Sequence, residues 1–283
     1  MVDYTLYDKY INLRFMKDIN PSDEDTIIDT PETGRKPHIH IKGSLIPSYG
    51  ISIPEIRITN FYPDRDLSDY KYLQVKAGYF GGLSLAFRAS MLDFSPFVEK
   101  PSPDGVIAIL CVIGDYEYMT GATMFKEWPT NTSFKTIMTE VADNMKLNLE
   151  FDAVDVNIHE KVVIAGPTRA IFPKLKDLTT NINIQLDTDR LLVYNSTIGR
   201  QDKYIIDKIS MAAKKGPTLT ITGPWIPSIR PGDVLELNPK FYKQGLGSTL
   251  IKFKTNEFIT QVIDFAFDTI NVNQMIITAL NKE

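Results

Sequence analysis

Histidine and cysteine, the side chains that most often do chemistry near neutral pH, are rare in this sequence, which has three histidines and one cysteine in 283 residues. His38 and His40 stand two apart in an extended segment, so both side chains share one face of a strand and could ligate a metal ion. No third ligand stands near them, and His159 is far along the chain. We therefore expect two histidines on the polar face of a strand, with no metal site and no cofactor.

Paired carboxylates could share the work of a general acid and a general base. The candidate groups are Asp23/Glu24/Asp25, Asp64/Asp66 and Asp187/Asp189. All three groups lie in turn-rich segments, where acidic loops exposed to solvent are the usual interpretation. An enzyme of an unfamiliar type would depend on the last two groups, but we expect no catalytic residues and no enzymatic activity.

The glycines around Tyr79-Phe80 could form a loop that cradles a phosphate. The patterns that such a loop needs are missing, because the sequence has neither a P-loop nor GxGxxG, and no helix is predicted after these glycines. The patterns GxSxG, HExxH and CxxC are also missing. Cys111 lies in the apolar run Val106–Ile113, where we expect it to pack as a small buried hydrophobe. The sequence thus predicts no catalytic, cofactor-binding or metal-binding residue.

The composition is that of a globular protein with a real core, since 43% of the residues are hydrophobic and 23% are charged. The net charge is −4, and the lysines and arginines are dispersed, which argues against a dedicated nucleic-acid surface. No apolar run approaches the roughly 20 residues that a helix needs to cross a bilayer. We expect a soluble protein without a membrane span, made in a cytoplasm.

The elements that position these residues are organised around Thr218–Tyr242, which we interpret as two strands joined by a rigid corner. Proline at 231 and glycine at 232 suit a type II turn, because proline presets φ at the first central position and glycine supplies a positive φ at the second. Asp233 can then hydrogen-bond nearby backbone groups.

Short strands and frequent turns make residues 1–127 an all-β region, as a barrel or a sandwich requires. Residues 128–215 are predicted to form an inserted α+β module. Its first helix spans Phe134–Leu147 and is capped by Thr132 or Ser133, and its second helix begins near Phe172. The strands Ile182–Leu186 and Arg190–Tyr194 then form a hairpin. Residues 216–283 return to strands, at Thr249–Lys254, Glu257–Phe267 and Gln274–Leu280. Trp128 and Trp225 stand beside prolines at the predicted boundaries, and we expect both to be packing anchors.

Four segments carry a resemblance to a known family. They are Glu55–Gly82, the helix Ser133–Leu147 behind Met124–Trp128, the second helix with the hairpin Ile182–Asn195, and Ile221–Leu237 followed by Met275-Ile276-Ile277. Their order resembles that of phage baseplate or tail hub proteins, the trimeric hubs that join a tail tube to its tip.

This resemblance implies a structural protein of the virion tail or baseplate, with tube-like β-barrel domains interrupted by the small module. Three copies would form a ring, with a tail tube or distal tail protein, a tip or spike protein and a tape-measure protein as the expected partners. Genome DNA would only pass through the lumen, which the acidic balance would suit. An exposed extended segment such as Ile51–Phe61 could pair between subunits. Any wall-degrading or piercing activity would belong to a partner.

One alternative from another class is a tail module that binds the host surface or a carbohydrate. Exposed aromatic side chains would then form its platform, and the candidates are Tyr70, Tyr72, Tyr79 and Phe80. The oligomeric state distinguishes the two hypotheses, because a monomer that binds glycans would oppose the hub.

Overall fold

The structure of the chain is a computed structural model that describes residues 9–18, 21–23, 25–29, 37–46, 52–59, 67–79, 82–93, 106–114, 121–206, 211–215, 218–237, 257–269 and 274–282. Among these residues β-strands predominate and the α-helices are two and short, which confirms the predicted mainly β fold with a small helical insertion. The predicted strand Thr249–Lys254 lies outside the described residues.

The first part of the chain forms antiparallel strands of one large sheet. They are β1 (Lys9–Met16), β2 (Thr26–Asp29), β3 (His38–Leu45), β4 (Glu55–Thr59), β5 (Tyr72–Tyr79), β6 (Gly82–Asp93) and β7 (Val106–Ile113). In β1 the apolar residues Ile11, Leu13 and Phe15 are buried and the polar residues between them are partly exposed, as their alternation predicts.

The sequence predicts that Ile51–Phe61 is an exposed extended segment able to pair between subunits, with Pro54 at an edge or at the start of a strand. The exposed pairing edge is wrong for the strand that this segment contains. β4 is an interior strand, because Ile56 pairs with Ile41 of β3 on one side and with Ile109 of β7 on the other. Pro54 stands just before the strand, and its carbonyl accepts the backbone N–H of Cys111 at 3.1 Å. The proline therefore marks the start of a strand and not an edge.

The next part, residues 121–195, is called the small module below. Its elements are β8 (Thr123–Trp128), β9 (Thr132–Ser133), α1 (Phe134–Asn144), β10 (Asn148–Asp152), β11 (Asn157–Ile158), β12 (Val162–Pro167), α2 (Ile171–Leu178), β13 (Ile182–Asp187) and β14 (Arg190–Asn195). β13 and β14 form the predicted hairpin, and β10 adds to it in parallel. β8 pairs with β12, and β9 with β11.

Both predicted helices are present. α1 begins as expected, with the Ser133 hydroxyl accepting the backbone N–H of Thr136 at 3.2 Å. It ends at Asn144, before the predicted Leu147, and Lys146 lies in the left-handed region with φ of 54°. α2 has Pro173 in its first turn, where proline is tolerated because the N–H of that position has no partner within the helix.

The last part of the chain returns to the large sheet through β15 (Lys203–Ile206), β16 (Met211–Lys215), β17 (Thr218–Gly223), β18 (Val234–Leu237), β19 (Glu257–Asp268) and β20 (Gln274–Asn281). The strand order is β16-β17-β20-β19-β3-β4-β7-β6-β5-β1-β2, with β15 and β18 attached through β19. The sheet therefore resumes before residue 216, and the division into residues 1–127, 128–215 and 216–283 stays a prediction.

The predicted closure of the sheet into a barrel also stays a prediction. Within the described residues, the ladders run from β16 to β2 and no ladder joins these two end strands. The sheet nevertheless curls, because Tyr79 of β5 and Phe267 of β19 lie far apart in the strand order and their rings contact edge to face at 6.0 Å.

Two separate apolar clusters hold the chain together. The sheet core is formed by large-sheet strands and by Trp225, whose indole stacks on Phe265 at 4.8 Å and 4°. The module core is formed by the helices and small sheets of the small module, and it includes one residue of the large sheet, Val112. Trp128 lies in the module core and donates its indole N–H to Glu140 at 2.9 Å. Both tryptophans are thus packing anchors, as predicted.

Candidate functional site: a charged junction between two cores

The strongest concentration of buried charge lies where the small module meets the large sheet. We call this set of residues the junction network, and its members are Glu150, Asp187, Arg190, Arg200, Arg230 and Asp233. Glu150, Asp187 and Arg190 belong to the small module, and the other three belong to the segment that leads back into the sheet and to the corner. Four of these side chains are buried and those of Glu150 and Arg190 are partly exposed, and buried charges are costly unless each has a partner.

The tip of the β13–β14 hairpin places Asp187 in the network. Its Oδ2 accepts from Nη2 of Arg190 at 2.6 Å and from Nε of Arg230 at 3.2 Å. Burial alone would raise the pKa of Asp187, but the two guanidinium groups outweigh it and hold the pKa below its ordinary value. Thr188 completes the tip in the left-handed region, with φ of 52°, which is uncommon for a β-branched residue.

Arg230 is the residue that connects the most parts of the chain. Its guanidinium is buried, and besides Asp187 it donates to the carbonyls of Pro227, Ile229 and Ala86. Ala86 lies on β6 of the large sheet and Asp187 lies on the hairpin of the small module. One side chain therefore ties the corner to the sheet and to the module, with the fork of donors that only arginine offers.

The second buried pair joins Arg200 to Asp233. Nη1 of Arg200 donates to Oδ1 of Asp233 at 2.8 Å, and Nη2 donates to Glu150 of the small module at 3.0 Å. The other carboxylate oxygen of Asp233 accepts the backbone N–H of Arg230 at 2.7 Å. Burial outweighs these favourable contacts and raises the pKa of Asp233 to about 7.

The predicted turn at 231–232 builds this arrangement. The N–H of Asp233 donates to the carbonyl of Arg230 at 3.1 Å, and Gly232 has φ of 90°. A Cβ at Gly232 would lie 2.6 Å from the ring of Tyr194, so the ring packs directly against the bare backbone. The turn, the positive φ and the hydrogen bond from Asp233 to backbone are all confirmed.

A cleft of about 490 Å³ runs along the network, lined by Ser84, Leu85, Thr188, Asp189, Arg190, Arg200, Asp202, Tyr204, Ser228 and Arg230. The arginines in this lining are already engaged by carboxylates. The arrangement is therefore suited to holding two parts of the chain together, and its chemistry is that of ion pairing.

The predicted solvated acidic pair Asp187/Asp189 was wrong for Asp187, which is buried and paired. Asp189 is partly exposed and lies 3.6 Å from Arg88. Of the other acidic candidates, Asp23 is exposed as expected, whereas Asp25 has a buried carboxylate 2.6 Å from Arg14. Glu24, Asp64 and Asp66 lie outside the described residues.

The histidine pair meets a partner that the sequence did not reveal. Nε2 of His38 lies 2.8 Å from Asp268 of β19, and Nδ1 of His40 lies 3.3 Å from the same carboxylate. His159 is elsewhere, 3.0 Å from Asn131 in the small module. Among the described residues, no group of three His, Cys, Asp or Glu side chains is arranged to hold a metal ion.

Two further expectations concern buried side chains. Cys111 is fully buried, and burial raises the pKa of its thiol to about 12, which confirms that it packs as a hydrophobe. The aromatic platform was wrong for Tyr70 and Tyr72, which are both buried, and Tyr79 packs against the sheet core. Phe80 lies outside the described residues.

No described helix is long and apolar enough to cross a membrane.

Solved structures of other proteins share this architecture. No family model and no curated protein matches the chain. Among solved structures, the 43 kDa tail protein of prophage MuSo2 from Shewanella oneidensis matches with a TM-score of 0.60 at 9% identity, over 97% of both chains. A tail protein from Neisseria meningitidis MC58 matches with a TM-score of 0.58 at 9% identity, also over 97% of both chains.

The chain has the fold of phage tail proteins. The same fold occurs in the E. coli c3393 protein, a type VI secretion component described as similar to the T4 bacteriophage tail proteins gp27 and gp5. That match has a TM-score of 0.59 at 9% identity and covers 88% of this chain and 76% of the other. A Francisella PdpA–VgrG complex shares the tail-protein fold over 97% of this chain and 58% of the other, with a TM-score of 0.53 at 8% identity. The predicted resemblance is confirmed at the level of fold.

Proposed function

We propose that this chain is a structural component of a phage tail or a related injection machine, and that it acts as a baseplate hub joining the tail tube to the tip or spike. The observation that carries the proposal is the shared fold, which extends over 97% of this chain and 97% of two phage tail proteins. Fold alone does not define a function. The site therefore has to support the proposal independently.

The junction network supports a structural role and gives no support to catalysis. Its buried charges are satisfied by one another, and the thiol of Cys111 is held in its unreactive protonated form. None of the described residues that line the cleft beside the network is a histidine or cysteine. We infer that the protein is not an enzyme and needs no cofactor.

The finer features of the proposal are a homotrimeric ring and contacts with three kinds of partner: a tail tube or distal tail protein, a tip or spike protein, and a tape-measure protein. A ring follows when head-to-tail contacts between copies close on themselves. Genome DNA would pass through the lumen without being bound, and the net charge of −4 would suit such passage. The place of the assembled protein would be the virion tail.

The mass of the purified protein in solution tests this proposal. Light scattering at several concentrations, alone and with the tail-tube or tip protein of the same phage, should give a trimer or assembly into one. An unrelated β-rich protein of similar mass serves as the control partner. A persistent monomer that ignores both partners would overturn the hub and favour a module that binds the host surface.

A further inference from the structure

The small module and the large sheet each pack around an apolar core of their own, and they are called the two bodies below. Among the described residues their buried apolar clusters are distinct, and Val112, near the end of β7, is the one residue of the sheet that belongs to the module core. Each described strand of the small module pairs only with another strand of the module. The extensive contacts between described elements likewise lie within the module or within the sheet.

Ion pairs and one packed ring join the two bodies. Tyr194 of the module is fully buried, and its ring packs against the backbone of Gly232 at the corner. Asp187 of the module binds Arg230 at 3.2 Å, Glu150 of the module binds Arg200 at 3.0 Å, and Arg88 of β6 lies 3.6 Å from Asp189 of the module. Polar contacts between domains resemble transient interfaces, across which relative motion is the normal expectation. The cleft of about 490 Å³ along this contact leaves room for such motion.

The chain enters and leaves the module beside fixed points on the sheet. At the end of β7, Gly114 has φ of 89° and its N–H donates to Arg88 of β6 at 2.9 Å. After β14, Gly199 has φ of 81°, and the next residue donates its N–H to Gly232 of the corner at 2.7 Å. At each of these two points the chain therefore turns at a glycine that the sheet or its corner holds in place.

We propose that the pairs Asp187–Arg230 and Glu150–Arg200 form a latch that fixes the orientation of the small module on the sheet, and that the module swings as a rigid unit when the latch opens. The covalent chain, Val112 and the packing of Tyr194 on Gly232 keep the module attached, and the ion pairs select one orientation. Each core stays folded in both orientations, because apart from Val112 the buried residues of each described core come from one body.

A distance measurement between the two bodies tests the latch. Spin labels are placed on cysteines introduced as Phe125→Cys in the module and Leu92→Cys on β6, both exposed positions. The native Cys111 is fully buried and stays unlabelled. Dilution with excess unlabelled chain isolates the distance within one molecule if the protein assembles.

The decisive variant is Asp187→Asn, which removes the charge and keeps the size of the side chain. We expect one narrow distance in the parent protein, and in the variant a second distance whose population rises roughly tenfold or more. The matched control is Glu127→Gln, which breaks the exposed 2.7 Å pair with Lys161 inside the module and should leave the distance unchanged. Arg230→Met tests the other side of the same pair.

Hydrogen exchange measured on the same samples separates swinging from unfolding. The amides of α1 and of β19 should keep their protection in Asp187→Asn. If folded Asp187→Asn shows the same narrow distance as the parent and the control, the latch is overturned. Loss of protection in either core would also overturn it, because the network would then be part of the folding unit. The proposed tail function is unaffected by either result, since it is tested by assembly.

Discussion

The sheet core and the junction network are both buried, yet they hold the chain by different means. Around Trp225 the contacts are between apolar rings, with the indole stacked on Phe265 and edge-on to Phe267. Around Arg230 the contacts are an ion pair with a carboxylate and hydrogen bonds to backbone carbonyls, all of which have a directional geometry. Truncating an apolar side chain lowers the free energy of unfolding roughly in proportion to the atoms removed. Removing one partner of a buried ion pair lowers it by more than the pair itself contributes, because the other charge is left buried without a partner. The two regions should therefore respond differently to substitution.

Removing the Trp225 side chain gives the largest expected effect. Trp225→Ala should lower the free energy of unfolding by about 4 kcal/mol, because it leaves a cavity beside Phe265 and Phe267. Chemical denaturation measures the loss. Replacing the tryptophan by phenylalanine should recover much of it, and an equal loss in both variants would show that packed volume is not what matters there.

The junction should show coupling between partners that the sheet core lacks. Arg230→Met should cost about 3 kcal/mol, because it leaves the carboxylate of Asp187 buried with one cation fewer. Asp187→Leu combined with Arg230→Met should be more stable than the sum of the two single changes by about 1 kcal/mol or more. A double-mutant cycle with no coupling energy would contradict the pairing.

The close approach of Gly232 to Tyr194 adds a steric demand to the junction. Gly232→Ala should cost about 2 kcal/mol, from the positive φ and from the contact of the new methyl group with the ring. Gly166 offers the matched control, because its φ is also positive, 135°, and no atom lies within 4 Å of a Cβ built there. Similar losses in both alanine variants, measured by thermal unfolding, would mean that the ring contact contributes nothing.

The junction should give the protein a stability that depends on pH near neutrality. The folded state holds the proton of Asp233 with a pKa of about 7, and the unfolded chain holds it with a pKa of about 4. The folded state therefore binds more protons in this window, and the free energy of unfolding should fall as the pH rises from about 4 to about 7, by at most about 1.4 kcal/mol per pH unit.

Asp233→Asn should remove this slope, and Trp225→Phe should keep it. Denaturation midpoints across the window measure both. Asp187 acts in the opposite sense, because its pKa is lowered, and its contribution is lost only as the pH falls below about 4. A slope that survives in Asp233→Asn would show that another group carries it.

Local features of the fold could be predicted from the sequence, because their causes lie within a few residues. The turn at Pro231-Gly232 follows from the φ preferences of two adjacent residues, and the start of α1 follows from the Ser133 hydroxyl. The same holds for Cys111, whose neighbours are all apolar. The resemblance that predicted the tail-protein fold depended on the order of such local features.

The candidate site could not be predicted, because its causes lie between distant residues. Asp187 and Asp189 look alike in the sequence. Asp187 pairs with Arg190 three positions away, but its second partner, Arg230, is 43 positions away and reaches it only through the tertiary fold. The partner of His38 is 230 positions away. The expectation that Ile51–Phe61 is exposed and free to pair between subunits was wrong for the same reason, since tertiary pairing places β3 and β7 on either side of β4.

The sheet order also has a consequence for how the chain acquires its structure during synthesis. β3 is complete by residue 45, but its neighbour β19 begins only at residue 257, and the small module is made in between. Contacts of such long sequence separation form slowly, whereas the module core comes almost entirely from one contiguous stretch. We therefore expect the module to fold while the ribosome is still making the sheet's last strands. Until β19 arrives, β3 presents an unpaired edge, and yield should depend on β19 reaching it before another nascent chain does.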